Sequence, residues 1–283
     1  MSKPNKPIAA NAHSPFAGCA ILLAALAVMV FLVVFSTWGL FRQYAEIAKF
    51  TAATPVPVEL STLDGREGEI NPLAEKLEGF RHELAGEGAA TLALTPAEMN
   101  LAIAAYEPFK ELRGTFRVLA VDGPVLKIGI AFKLNGKPRL ARGGERGWIA
   151  SDPRYLNATV VARPQLLGRE VVLKLESITV PNATVPDEFI GQMSPYRITE
   201  RYLADPVIGP AMGKLTSVEV ADGGLVLRRK PGEAPGDRIS DAEVDFASSR
   251  LFTVLGIVAC VFLVAVGILI VVGLRAKGRR TGF

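Results

Sequence analysis

TFRVLAVDGPVLKIGIAFKL, residues 115–134, decides the fold. Before Gly114 the apolar residues recur at helical spacing; from Thr115 onward they alternate. Leu126, Ile128, Ile130, Phe132 and Leu134 fall on one face of 125–134, with Val125, Lys127, Gly129, Ala131 and Lys133 on the other. A period of two belongs to a strand, and Asp122-Gly123-Pro124 supplies the turn of a hairpin with 115–121. Residues 154–162 and 169–180 form a further pair, in which Val171, Leu173 and Leu175 oppose Val172, Lys174 and Glu176. A last hairpin joins 214–220 to 225–229 at Asp222-Gly223-Gly224. At least six strands with one mainly apolar face predict an antiparallel sheet packed on helices, hence an α+β fold, over a parallel doubly wound one.

Two helices precede the strands. Leu73, Leu77, Phe80 and Leu84 recur at offsets of four, three and four, one apolar stripe on a helix of about 15 residues starting near Asn71-Pro72. His82 sits there among Glu78, Arg81 and Glu83 and reads as a surface histidine. Thr95-Pro96-Ala97-Glu98 combines a capping threonine, a first-turn proline and a capping-box glutamate. The helix it opens ends before Pro108. Asn100 on it either bonds a neighbouring strand or turn or is a partly exposed amide.

Working outward, residues 17–41 and 251–274 carry no charge at all. Each run exceeds the roughly 20 apolar residues a bilayer-spanning helix needs, and Trp38 suits an interfacial anchor. The first run is too long for the core of a cleaved signal peptide, and Trp38-Gly39-Leu40-Phe41-Arg42 is too bulky for a cleavage site. Both cysteines, Cys19 and Cys260, fall inside these runs. Lys3 and Lys6 precede the first; Arg275, Lys277, Arg279 and Arg280 follow the second. By the positive-inside rule both termini are cytoplasmic and 42–250 lies outside. The expected organisation is a tail (1–16), a span (17–41), a helix extension and linker (42–70), the α+β domain (71–229), a polar linker and helix start (230–250), a second span (251–274) and a basic tail (275–283).

This distribution resolves the net charge of +4. The tails hold six basic residues and no acid, while 42–250 holds 26 basic against 28 acidic residues. The external part is close to neutral, which removes the main support for nucleic-acid binding.

Chemical motifs are sparse. The chain has no phosphate-loop, H-E-x-x-H or G-x-S-x-G pattern, and its two histidines, His13 and His82, give a catalytic triad poor support. Asp187-Glu188 reads as the start of a short helix. No catalytic residue, metal ligand set or cofactor is assigned. The glycine-rich stretch 135–147 carries Lys137, Arg139, Arg142 and Arg146, a candidate loop for an anion or lipid headgroup, with a solvated mobile loop as the plain reading. Asn157-Ala158-Thr159 and Asn182-Ala183-Thr184 match the N-glycosylation sequon.

Leu94-Thr95-Pro96-Ala97-Glu98-Met99-Asn100, followed by hairpins, resembles the L-T-x-x-E-[LM]-N helix of membrane-anchored bacterial envelope proteins, among them the YpmS-like family and proteins similar to the tubular lipid-binding superfamily. The resemblance covers 91–229 and carries over no site residue; the second span departs from it. It implies a long curved antiparallel sheet around helices with an apolar groove for acyl chains, which in this chain is expected between the two transmembrane helices. The face bearing Leu126, Ile128, Ile130, Phe132, Val171, Leu173 and Leu175 is the candidate groove. The expected function is therefore a two-span cell-membrane protein with a non-enzymatic external domain that binds a lipid or other amphiphile. The alternative is a structural or assembly module of the envelope that engages a protein partner. Beyond those and the bilayer itself no partner is expected, nucleic acid included.

Overall fold

The computed structural model describes residues 15–60, 62, 63, 65–168 and 170–234. Among the described residues, 44–234 belong to one compact unit and 15–43 to another. Helix α1 covers Pro15–Lys49. Its stretch Leu26–Lys49 is long and apolar enough to cross a membrane, the one such helix among the described residues. The second apolar run, 251–274, lies outside the described residues, as do 1–14, the linker from 235 onward and the basic tail 275–283. The two-span arrangement therefore rests on the sequence alone.

In the globular unit, α2 (Glu67–Ala85) is followed by β1 (Ala90–Leu94), α3 (Pro96–Ala105) and a 3-10 helix (Glu107–Leu112). Then come β2 (Phe116–Asp122), β3 (Val125–Leu140), β4 (Ile149–Leu167), β5 (Glu170–Thr179) and α4 (Asp187–Met193). A 3-10 turn (Glu200–Tyr202), α5 (Ile208–Met212), β6 (Ser217–Ala221) and β7 (Gly224–Arg229) complete it. The fold is α+β, with two antiparallel sheets of order β2-β3-β4-β5 and β1-β7-β6.

The three hairpins lie where the turn residues put them. Asp222 and Gly223 both take positive φ (52° and 75°), as a two-residue turn matched to strand twist needs, and Gly123 does the same at φ 59°. The sequence did not show that the last hairpin leaves the main sheet. The outer edge of β5 is already occupied: Leu173 and Tyr196 exchange backbone hydrogen bonds of 2.9 and 2.8 Å, and Thr199 and Ser194 bond Val171 and Leu175 through their side chains. No place remains there for β6. Strand β7 pairs instead with β1, from Ala90↔Arg229 to Leu94↔Leu225.

The opposite edge, β2, is closed by a side chain. Asn100 donates from Nδ2 to the Val118 carbonyl (2.7 Å) and accepts the Val118 N–H at Oδ1 (2.8 Å). Its amide thus reproduces a strand partner beside the bulge between Val118 and Ala120. Of the two expectations for Asn100, the strand contact holds. The capping box of α3 is complete, Thr95 Oγ1 accepting from the Glu98 N–H and Glu98 accepting from the Thr95 N–H. Met99, Leu101, Ala102 and Ile103 of that helix pack with Ile128, Ile130 and Leu156 of the large sheet in the main core.

Helix α2 starts a turn earlier than Pro72 suggested. Pro72 is the sixth residue of the helix, past its first turn, and costs it the bond to the Gly68 carbonyl. Lys214 Nζ (2.7 Å) and Arg229 Nη1 (2.8 Å) donate to the Leu84 carbonyl and tie the other end of α2 to β6 and β7. They place cations where the helix dipole favours them.

Candidate functional site

The face expected to be an open trough is core. Leu126, Ile128, Ile130, Leu173 and Leu175 are buried in the main cluster, with Phe132 packed against it. Val171 joins a second cluster around Leu84, Ala90, Leu166, Leu215 and Val218. Met193 and Tyr196 close over the face, the Phe132 and Tyr196 rings lying 5.3 Å apart, and the remaining void is about 10 Å³. That holds one water at most. The cause is the segment after β5, which folds α4 back across the face; periodicity shows that a face is apolar but not what covers it.

The basic stretch is also not one loop. Residues through Leu140 belong to β3, and only 141–148 turn. A Cβ at Gly136 would strike the Asp152 carbonyl oxygen, so that glycine serves strand contact rather than loop freedom. Lys137 and Arg139 therefore lie on the strand, and only Arg142 and Arg146 are at the tip. Arg139 grips Glu145 through two bonds of 2.7 Å and Asp152 through one of 2.9 Å. The Arg142 backbone N–H donates to Glu145 as well (2.7 Å).

Hydrogen bonds from Arg139 and from the Arg142 amide hold the Glu145 carboxyl down at about 2. A depressed acid stabilises its surroundings above its unfolded pKa, near 4.5, and that contribution disappears as the pH falls to the folded value. The hairpin tip is expected to loosen between pH 4.5 and 2. Amide exchange at Arg142, followed through that window, is the check; protection unchanged at pH 2 contradicts the assignment.

An open apolar groove exists elsewhere, on α2. Its stripe is buried only at the ends, where Leu73 and Leu84 are each 2% exposed. Between them Ala74, Leu77 and Phe80 are half-buried and form one wall of a groove of about 560 Å³. Pro108 and Phe109 of the 3-10 helix, Val207 beside α5, and Ile208, Ala211 and Met212 of α5 line the rest, with Leu215 and Leu227 also contributing. Glu78, Arg81 and Asp205 are the charged lining residues. Arg81 is paired with Glu78, and Asp205 accepts the Val207 and Ile208 N–H groups (2.8 and 2.9 Å) at the start of α5. Those two bonds hold the Asp205 carboxyl below its usual range.

Two features shape this groove. Gly209 lets α5 pack on the preceding turn, because a Cβ there would meet the Leu203 carbonyl. The Tyr106 hydroxyl is buried with no hydrogen-bond partner among the described residues, and burial pushes its pKa up. A buried hydroxyl without a partner is costly, and this one lies sealed behind the groove wall rather than open to it. Its volume falls within the few hundred to 1,000 Å³ usual for small-molecule sites, roughly. Sequence reasoning identified α2 but not α5, whose five residues are too short to carry a period.

The other singled-out residues have structural places. His82 is exposed on α2. Asp187 and Glu188 open α4. Asn157 donates to the Thr54 carbonyl (3.1 Å) and accepts the Val56 N–H (2.9 Å), fastening the linker after α1 to β4. Among the described residues no three His, Cys, Asp or Glu side chains group as a metal site would require. No protein-family model, curated protein or solved structure matches the chain.

Proposed function

We propose that this chain is a membrane-anchored module whose globular unit takes the acyl chain of a lipid or other amphiphile in the α2–α5 groove. The uncovered centre of the α2 stripe carries the reading. A helix buries such a stripe to gain stability, and here the two ends do so while Leu77 and Phe80 remain half-buried beside a 560 Å³ space. The apolar α1 helix and the basic flanks of both runs support anchoring in the cell membrane by two spans, with cytoplasmic termini and an external globular unit. The resemblance to tubular lipid-binding proteins is consistent with an acyl ligand, though the groove lies on the helices rather than on the face of the large sheet.

The full chain, in native membranes given a photoactivatable fatty acid, tests the reading. Labelling is expected on peptides containing Leu77 and Ile208, and to be lost in Ala211→Trp and in Ala74→Trp, which fill the groove from opposite walls. Labelling that ignores both substitutions overturns it. A stoichiometric protein cross-linked at Leu77 in place of lipid favours the assembly-module alternative.

A further inference from the structure

The β3–β4 hairpin ends in a tip whose composition its fold does not explain. Leu140 is 81% exposed, Trp148 89% and Ile149 71%. Leu140 and Ile149 are cross-strand partners and so share one face. Trp148, whose carbonyl accepts from the Ala141 N–H at 3.0 Å, is next in sequence, so three exposed apolar side chains cluster at the end of the hairpin. Its two nearby acids, Glu145 and Asp152, are both taken up by Arg139. Arg142 and Arg146 make no side-chain ion pair among the described residues, so the turn presents them as outward cations.

A rigid apolar wedge with cations at its turn matches the chemistry of a bilayer interface. Tryptophan settles at headgroup depth, and arginine meets phosphate in a geometry that fits it. The complementarity is in the tip itself, which sets three exposed apolar side chains beside two cations and leaves its acids to Arg139.

We propose that the hairpin tip seats on an anionic lipid surface, with Leu140, Trp148 and Ile149 in the interface and Arg142 and Arg146 on lipid phosphates. The proposal rests on anchoring through α1 but not on an occupied groove. It adds a membrane contact of the globular unit's own to tethering through α1.

The test uses the full chain with Trp38→Phe, which leaves Trp148 as the one tryptophan of the original two. It is reconstituted in phosphatidylcholine vesicles with or without phosphatidylglycerol, using brominated acyl chains as quenchers. With phosphatidylglycerol present, Trp148 emission is expected to shift to the blue and to be quenched by the brominated lipid, less so at high salt. Arg142→Gln and Arg146→Gln are each expected to cut membrane-seated occupancy roughly 5-fold. Trp148 quenched only from water, or responding equally in neutral vesicles, overturns the proposal. Carbonate extraction separates the failures: a chain washed from the vesicles overturns both the anchoring and the proposal, and a retained chain with Trp148 in water overturns this proposal alone.

Discussion

Replacing Asn100 with alanine is expected to destabilise the globular unit by about 2–4 kcal/mol, two backbone groups losing their partners at once. For a unit of this size that lowers the thermal midpoint by roughly 5–10 °C. The size of the effect follows from position. Val118 is 3% exposed, on an edge strand whose ladder is broken between Val118 and Ala120, and Asn100 meets both its N–H and its carbonyl. Alanine leaves both groups without their bonds where water has little access. Asn100→Asp keeps an acceptor for the N–H but turns a charged oxygen toward the carbonyl, so it should be at least as harmful at neutral pH and recover partly on acidification. Thermal and urea unfolding of the three proteins, followed by circular dichroism, decide the point. An alanine variant within about 0.5 kcal/mol of the parent, the range of an ordinary surface substitution, contradicts the role.

The same two bonds say something about function. An open sheet edge is a template for an extended partner. In the four-stranded sheet Asn100 occupies one edge, and the Tyr196 strand-like pairing with its Ser194 and Thr199 side-chain bonds occupies the other. Strand addition is therefore blocked at Val118 on one edge and at Val171–Leu175 on the other. The apolar surfaces that remain are on α2 and at the β3–β4 tip, which is why the functional proposals rest there.

What the sequence made legible was local. Asp122-Gly123-Pro124 and Asp222-Gly223-Gly224 mark their own turns, Thr95 and Glu98 mark the helix they cap, and 125–134 shows its period without help. What escaped depended on partners far along the chain. ATLAL at β1 is five residues with an ordinary alternation, and its partner β7 lies beyond Gly224, so nothing local marks it as the strand that draws the last hairpin away. The Leu126–Phe132 face was legible as apolar, but whether it is an open groove or a filled core was not, because its cover comes from α4 and Tyr196, beyond the next strands. The one missed signal in plain view was Trp148-Ile149 directly after the glycine-rich stretch 135–147, where a folded core gives neither side chain a place.

The stripe on α2 yields the sharpest separation between stability and function. Leu73 and Leu84 are sealed at its ends, and truncating either to alanine should cost about 2–5 kcal/mol, the usual range for a buried leucine that leaves a cavity. Leu77 and Ile208 face each other's side of the groove from α2 and α5 and are only half-buried. Leu77→Ser and Ile208→Ser should cost far less stability, since part of each side chain already meets solvent. A bound acyl chain, however, would lose apolar contact to either, and each substitution should weaken binding about 10-fold, the worth of roughly half a buried aliphatic side chain. The expected pattern is a crossing: Leu73→Ala, sealed in the main core and outside the groove lining, lowers the unfolding midpoint and leaves the affinity of the folded fraction intact, while Leu77→Ser does the reverse. Unfolding midpoints and fluorescent fatty-acid titrations of the full chain in detergent give both readouts on the same preparations. If the two sets fall together, with affinity tracking stability across all four variants, the groove is core that packs loosely and the acyl-binding proposal fails. If they cross, the interruption in the stripe is a site, because no packing argument makes a half-buried leucine matter more to ligand than to fold.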